Sequence, residues 1–186
     1  MNSKVSENEQ YLSTSNRITG VVVMVIGLVG LLDIVLEWRT MGGLLVAALI
    51  AVLMVLTYLG LVRPSVTLRP DGLLIRNHLR DHLVPWNKIT EVDVTDILRV
   101  HTEDGKVRCP GVQVVMRDLR KQRVGGRKLR DDSSISRADF VVERIENHRE
   151  RYSRDATGEI TTTWARPELI ILAALVTLAI IAQILR

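Results

Sequence analysis

Thiols, imidazoles and aromatic rings are scarce in this chain of 186 residues, and each scarcity removes a class of function. A lone Cys109 has no partner for an internal disulfide, and it reads as a small packing residue. The four histidines give no metal constellation. His78 and His82 stand four apart, which on a helix would put two ligands on one face, but they flank an expected turn. Asp81 lies between them, His101 is elsewhere, and no Cys, Asp or Glu set of metal-site spacing joins them. Gly125-Gly126-Arg127-Lys128 lacks the full phosphate-loop signature, and Ser133, Ser134 and Ser136 belong to no nucleophile motif. The expectation is a protein with no metal, no cofactor and no catalytic residues, hence not an enzyme.

Charge is also missing, but only locally. Three apolar runs, 18–36, 43–62 and 169–185, contain one formal charge, Asp33. Roughly 20 apolar residues in a helix cover the ~30 Å hydrocarbon core of a bilayer, and in lipid only a helix or a closed barrel satisfies its own backbone. None of the runs has the polar face of a soluble core helix, so the chain reads as an integral membrane protein with three spans, the last drawn over 168–185. The overall 47% hydrophobic and 25% charged content averages two solvents. Residues 63–166 hold 21 of the 25 Lys and Arg and 16 of the 21 acids, a net +5 that suits a neighbour of anionic lipid or nucleic acid.

A cleaved signal peptide fits the first run poorly. The preceding tail mixes Lys4 and Arg17 with Glu7 and Glu9, the run exceeds the usual apolar core of such a peptide, and Leu36-Glu37-Trp38-Arg39 offers no small-residue cleavage site. Orientation follows from Arg17, Arg63 and Arg166, which fall beside the three runs at one common face next to the basic middle segment. Positively charged flanks stay cytoplasmic, so the N-terminus and the middle segment are expected inside the plasma membrane and the C-terminus outside. Trp38, Tyr58 and Trp164 lie near run ends, as interfacial aromatics do. Asp33 and Glu37, one turn apart near the outer end, read as interfacial.

Six residues separate the first two runs, the length of a connection between antiparallel helices. Gly43, Ala47 and Ala51 recur every four residues, a row that admits close approach of another helix, either within the chain or from a second copy. After Arg63 the pattern changes to short β-branched and aliphatic stretches at 66–68, 73–76, 82–84, 89–94, 97–101, 107–109 and 112–116. Arg69-Pro70-Asp71-Gly72 and Glu103-Asp104-Gly105-Lys106 punctuate them with turns, as in a small sandwich or barrel. Ser136 then stands three residues before Asp139, much like a capping box. Ala138, Val141, Val142, Ile145, His148 and Tyr152 follow on one side of a helix whose apolar stripe needs a sheet to cover. Residues 153–167 read as a polar linker to the last span.

The segment Pro64-Ser65-Val66-Thr67-Leu68-Arg69-Pro70-Asp71-Gly72-Leu73, followed by Val84-Pro85-Trp86-Asn87-Lys88-Ile89, resembles the bacterial pleckstrin-homology-like (PH-like) domain of the low molecular weight protein antigen 6 type. The resemblance is close over 64–92, and the order of strands then helix extends it to 151. It implies a seven-stranded, partly open barrel capped by a C-terminal helix, acting as a membrane-associated binding module without catalytic residues. In that pattern Trp86 is a core or barrel-edge residue rather than a binding-surface aromatic. The chain departs from the family between 112 and 134 and in having a third membrane helix.

The expected class is thus an α+β membrane protein. A cytoplasmic tail (1–17) precedes a transmembrane helical hairpin (18–36 and 43–62), then a PH-like small β-barrel with its capping helix (64–152), a linker (153–167) and a third transmembrane helix (168–185). The candidate binding residues are Arg117, Arg120, Lys121, Arg123, Arg127, Lys128 and Arg130, crowded into a stretch with one acid, Asp118. Held near a leaflet, such charges gain on the order of 1 kcal/mol each from anionic lipid. The bland reading is a solvated loop. Nucleic acid is disfavoured, because no aromatic residue interleaves the run. The expected function is a protein- or anionic-lipid-binding module at the inner leaflet, with the bilayer, a membrane protein or a second copy as partners. The alternative is an accessory or regulatory subunit of a transport or cell-envelope assembly complex.

Overall fold

The computed structural model describes residues 9–37, 40–94, 97–103, 105–113, 137–154, 156 and 158–186, apart from the side chains of 111–113 and 137–139. These residues divide into two compact units. One, helical, comprises Thr14–Arg63, His78–Arg80 and Trp164–Arg186; the other is built from the described parts of Met1–Ser13, Pro64–Asn77 and Asp81–Thr163.

In the helical unit, α1 (Thr14–Glu37) has 24 residues, about 36 Å at 1.5 Å per residue. α2 (Met41–Thr57) starts where Thr40 Oγ1 accepts the Gly43 N–H at 3.1 Å, and it runs on through a π-turn, Tyr58–Val62. The last helix, Arg166–Ile184, has Pro167 in its first turn, where the missing N–H costs nothing. All three are long and apolar enough to cross a membrane. Their outer surfaces carry many exposed large apolar side chains, among them Val25, Leu53 and Ile180.

α2 packs against both other helices of this unit. Its small-residue row is partly enclosed: Gly43 is buried, Ala47 and Ala51 are half-buried, and the adjacent Ala48 is only 3% exposed. The tightest approach uses glycines of α1 that the sequence reading passed over. A Cβ at Gly20 would lie 2.7 Å from Val62 Cγ2, and one at Gly27 would lie 2.8 Å from Met54 Sδ. Spaced seven apart, these glycines share one helix face, and side chains from α2 and the π-turn fill the room they leave.

The strands form two sheets. Strands β1 (Glu9–Leu12), β2 (Ser65–Leu68), β3 (Leu73–Arg76), β4 (Arg80–Val84) and β8 (Thr161–Trp164) form the first, in the order β1-β2-β3-β4-β8. The second is an antiparallel meander of β5 (Ile89–Val94), β6 (Ile97–Thr102) and β7 (Gly105–Gln113). The first hairpin pairs Val66 with Ile75 and Leu68 with Leu73. Its turn closes with Arg69 N–H donating to Gly72 O at 3.0 Å. Glycine is required at 72 by space, since a Cβ there would sit 2.5 Å from the carbonyl oxygen of Val84.

Alternation along the strands points Val66, Leu68, Leu73, Ile75, Leu98 and Val100 into one core with Trp86. The amphipathic helix α3 (Arg137–Tyr152) covers that core, burying Val141, Ile145 and His148. It packs on β5 and on the 3-10 turn Trp86–Lys88. An α+β arrangement of strands capped by a helix, with three apolar helices, is therefore observed. Two strands differ from the sequence reading. Part of the expected 1–17 tail is β1, paired with β2 from Glu9↔Leu68 to Leu12↔Ser65, and part of the expected 153–167 linker is β8. Within 64–152 six strands, β2 to β7, are described; β7 extends to Gln113 with its register against β6 shifting between Ile97↔Gln113 and Leu98↔Cys109, and residues 114–116 lie outside the described part.

Candidate functional site

The seven basic residues expected to bind a headgroup or partner, Arg117, Arg120, Lys121, Arg123, Arg127, Lys128 and Arg130, lie outside the described residues, as do Ser133, Ser134, Ser136 and Trp38. Trp86, Cys109, Asp33, His78 and His82 are among the described residues. Trp86 is a core residue with no exposed surface, and its Nε1–H donates to Arg69 O at 2.8 Å, tying the start of β5 to the first hairpin turn. Cys109 is buried in the same core. Asp33 is exposed on α1.

His78 and His82 do not converge. His82 Nδ1 is 3.0 Å from Thr162 Oγ1, a contact between β4 and β8. His78 lies before β4, and its Nδ1 is 3.1 Å from the carbonyl oxygen of Leu59 in the π-turn. A carbonyl only accepts, so His78 Nδ1 carries the proton. The π-turn gives that bond its reason. Arg63 N–H reaches back five residues to Tyr58 O at 2.9 Å; in the same register the donor for Leu59 O would be Pro64, which has no N–H. Among the described residues no group of three or more His, Cys, Asp or Glu is disposed to hold a metal ion.

The ends of the apolar helices bear charged and aromatic groups in defined positions. Arg63 Nε is 3.2 Å from Glu168 Oε1, with the Arg63 side chain only 7% exposed. The Arg80 guanidinium lies 4.0 Å from the centroid of the Trp164 ring. Trp164 and Tyr58 are both exposed at helix ends, the position of an aromatic belt.

A second cluster joins the N-terminal strand to α3. Tyr11 O–H donates to Glu9 Oε2 at 2.8 Å, Arg144 Nη2 donates to Glu9 Oε1 at 3.0 Å, and the Tyr11 and Phe140 rings meet edge to face at 6.5 Å. Burial and then the Glu9 carboxylate push the Tyr11 hydroxyl up from 10.0 to about 12, against a smaller opposing pull from Arg144. The sequence reading missed this cluster, because four residues of mixed polarity ahead of a span carry no strand signal. Only Tyr11-Leu12 among polar neighbours hinted at a packed segment.

What these groups do is hold: they brace a strand-built unit and fix cations and rings at helix ends. Comparison with curated proteins and with solved structures gives no match. Residues 63–132 match the family model described as "Bacterial PH domain", a span that starts at the end of the π-turn, takes in β2 to β7 and includes the seven basic residues. The strand-rich part of this chain is thus similar to the bacterial PH domain and is PH-like.

Proposed function

We propose that the protein is a non-enzymatic, multi-pass plasma-membrane protein whose PH-like domain is a binding module for anionic lipid at the inner leaflet. The observation that carries the reading is connectivity. Ser13 alone separates β1 from α1, Arg63 and Pro64 separate the π-turn from β2, and Ala165 alone separates β8 from the last helix. Three candidate spans thus continue into three strands of one sheet, with no long linker to release the domain from the bilayer. Arg17, Arg63 and Arg166 at these junctions support a cytoplasmic N-terminus and domain, with the C-terminus outside.

The ligand class rests on the seven basic residues within the family match, whose charge complements an anionic leaflet held close by the spans. The Pro70-Asp71-Gly72 turn and the Val84-Pro85-Trp86 step support the low molecular weight protein antigen 6 type within bacterial PH-like domains. The test replaces all seven basic residues by Gln in the full chain, reconstituted in nanodiscs of phosphatidylcholine doped with phosphatidylglycerol. The wild type is expected to enrich phosphatidylglycerol among its retained lipids, with the enrichment weakening in salt, and the variant to lose it. Equal enrichment in both proteins refutes the assignment.

A further inference from the structure

The helical unit carries a cluster that neither the basic stretch nor the PH-like core explains. The tip between β3 and β4, His78–Arg80, belongs to this unit, and two hydrogen bonds hold it there. His78 Nδ1–H donates to Leu59 O at 3.1 Å, and Ala165 N–H donates to Leu79 O at 2.9 Å. Held in this way, the tip presents large apolar groups outward: Leu79 is 40% exposed and Trp164 is 49% exposed. Arg80 is exposed with its guanidinium on the Trp164 ring, and among the described residues no carboxylate pairs with it.

An exposed leucine and tryptophan on a pinned tip would be costly in water and favourable at a bilayer boundary. Trp164 stands two residues before Arg166, where the last apolar helix begins. An indole at that position sits at headgroup level. A guanidinium presents paired donors that match a phosphate diester, and stacking on a ring orients it. We propose that Leu79, Arg80 and Trp164 form an anionic-phospholipid site at the membrane surface, with Arg80 on the headgroup phosphate, Trp164 at headgroup level and Leu79 in the acyl boundary. The site rests on the reading that the three helices cross a membrane, and it is independent of the basic stretch.

The test uses the full chain with Cys109→Ala, in vesicles of phosphatidylcholine with or without phosphatidylglycerol. Spin labels are placed one at a time at Leu79→Cys, at Val176→Cys on the exposed face of the last helix, and at Lys106→Cys, exposed near the start of β7. Collision with oxygen and with a water-soluble nickel chelate reports depth. The expected result is position 176 deep, position 106 aqueous and position 79 at headgroup depth, shifting toward water in Arg80→Gln and in vesicles lacking phosphatidylglycerol. Position 79 as aqueous as position 106 while 176 stays deep overturns the site and leaves the spans intact. Shielding of position 79 from both reagents, as by a protein partner, or indifference to Arg80→Gln and to lipid charge, also overturns it. An aqueous position 176 overturns the reading of the spans instead.

Discussion

Arg63 Nε donates to Glu168 Oε1 at 3.2 Å, joining the residue that closes the π-turn to the first turn of the last helix, 105 positions later. With side chains only 7% and 20% exposed, this pair is a brace between two helices rather than a surface ion pair. Removing the Arg63 charge leaves the Glu168 carboxylate without this ion pair in a site poor in water, and that costs more than losing both. Arg63→Met alone should destabilise the helical unit by about 3 kcal/mol, while adding Glu168→Gln recovers part of the loss. Unfolding of the purified protein in detergent, read as a double-mutant cycle, checks this.

Two glycines make opposite predictions. At Gly72 a Cβ would meet the Val84 carbonyl oxygen at 2.5 Å, a backbone atom that cannot step aside, whereas at Gly60 nothing lies within 4 Å. Gly72→Ala is therefore expected to cost more than about 1 kcal/mol and to loosen the β2–β3 turn. Gly60→Ala, within a helical segment, should be neutral or stabilising by up to about 1 kcal/mol. Melting temperatures of the two variants beside the parent decide the matter.

The Tyr11 hydroxyl gives a pH signature. Its value in the folded chain, about 12, lies above the ordinary 10.0, so the folded state favours the neutral phenol. A raised value means that this contribution to stability is complete below pH 10 and disappears as pH rises toward 12. Difference absorbance between the parent and Tyr11→Phe should show a phenolate appearing near pH 12, and Glu9→Gln should lower that midpoint. A midpoint at the ordinary value would mean that β1 is not seated beside Arg144 and Phe140.

The parts legible in the sequence are those whose signal is local. The apolar runs need only composition, the 69–72 turn needs Pro70 and Gly72, and α3 announces itself through Val141, Ile145 and His148 at helical spacing. β1 and β8 were illegible because four residues carry little periodicity and their partners are distant. Leu12 pairs with Ser65, and Thr162 meets His82 across a sheet edge. The Arg80–Trp164 stack escaped for the same reason, since it exists only once β4 and β8 lie side by side. The π-turn has a sequence trace in Pro64, which removes one helical donor, but nothing in the pattern names His78 as the replacement.

The central claim is that three helices cross the bilayer and return both ends of the PH-like domain to one face. The most direct measurement is labelling with a membrane-impermeant maleimide in intact and permeabilised cells, with single cysteines at Glu159 and Arg186 in the Cys109→Ala background. Both positions are exposed, one before and one after the last helix in the sequence. The account predicts that Arg186→Cys is labelled in intact cells and Glu159→Cys only after permeabilisation; labelling of both from the same side would contradict it.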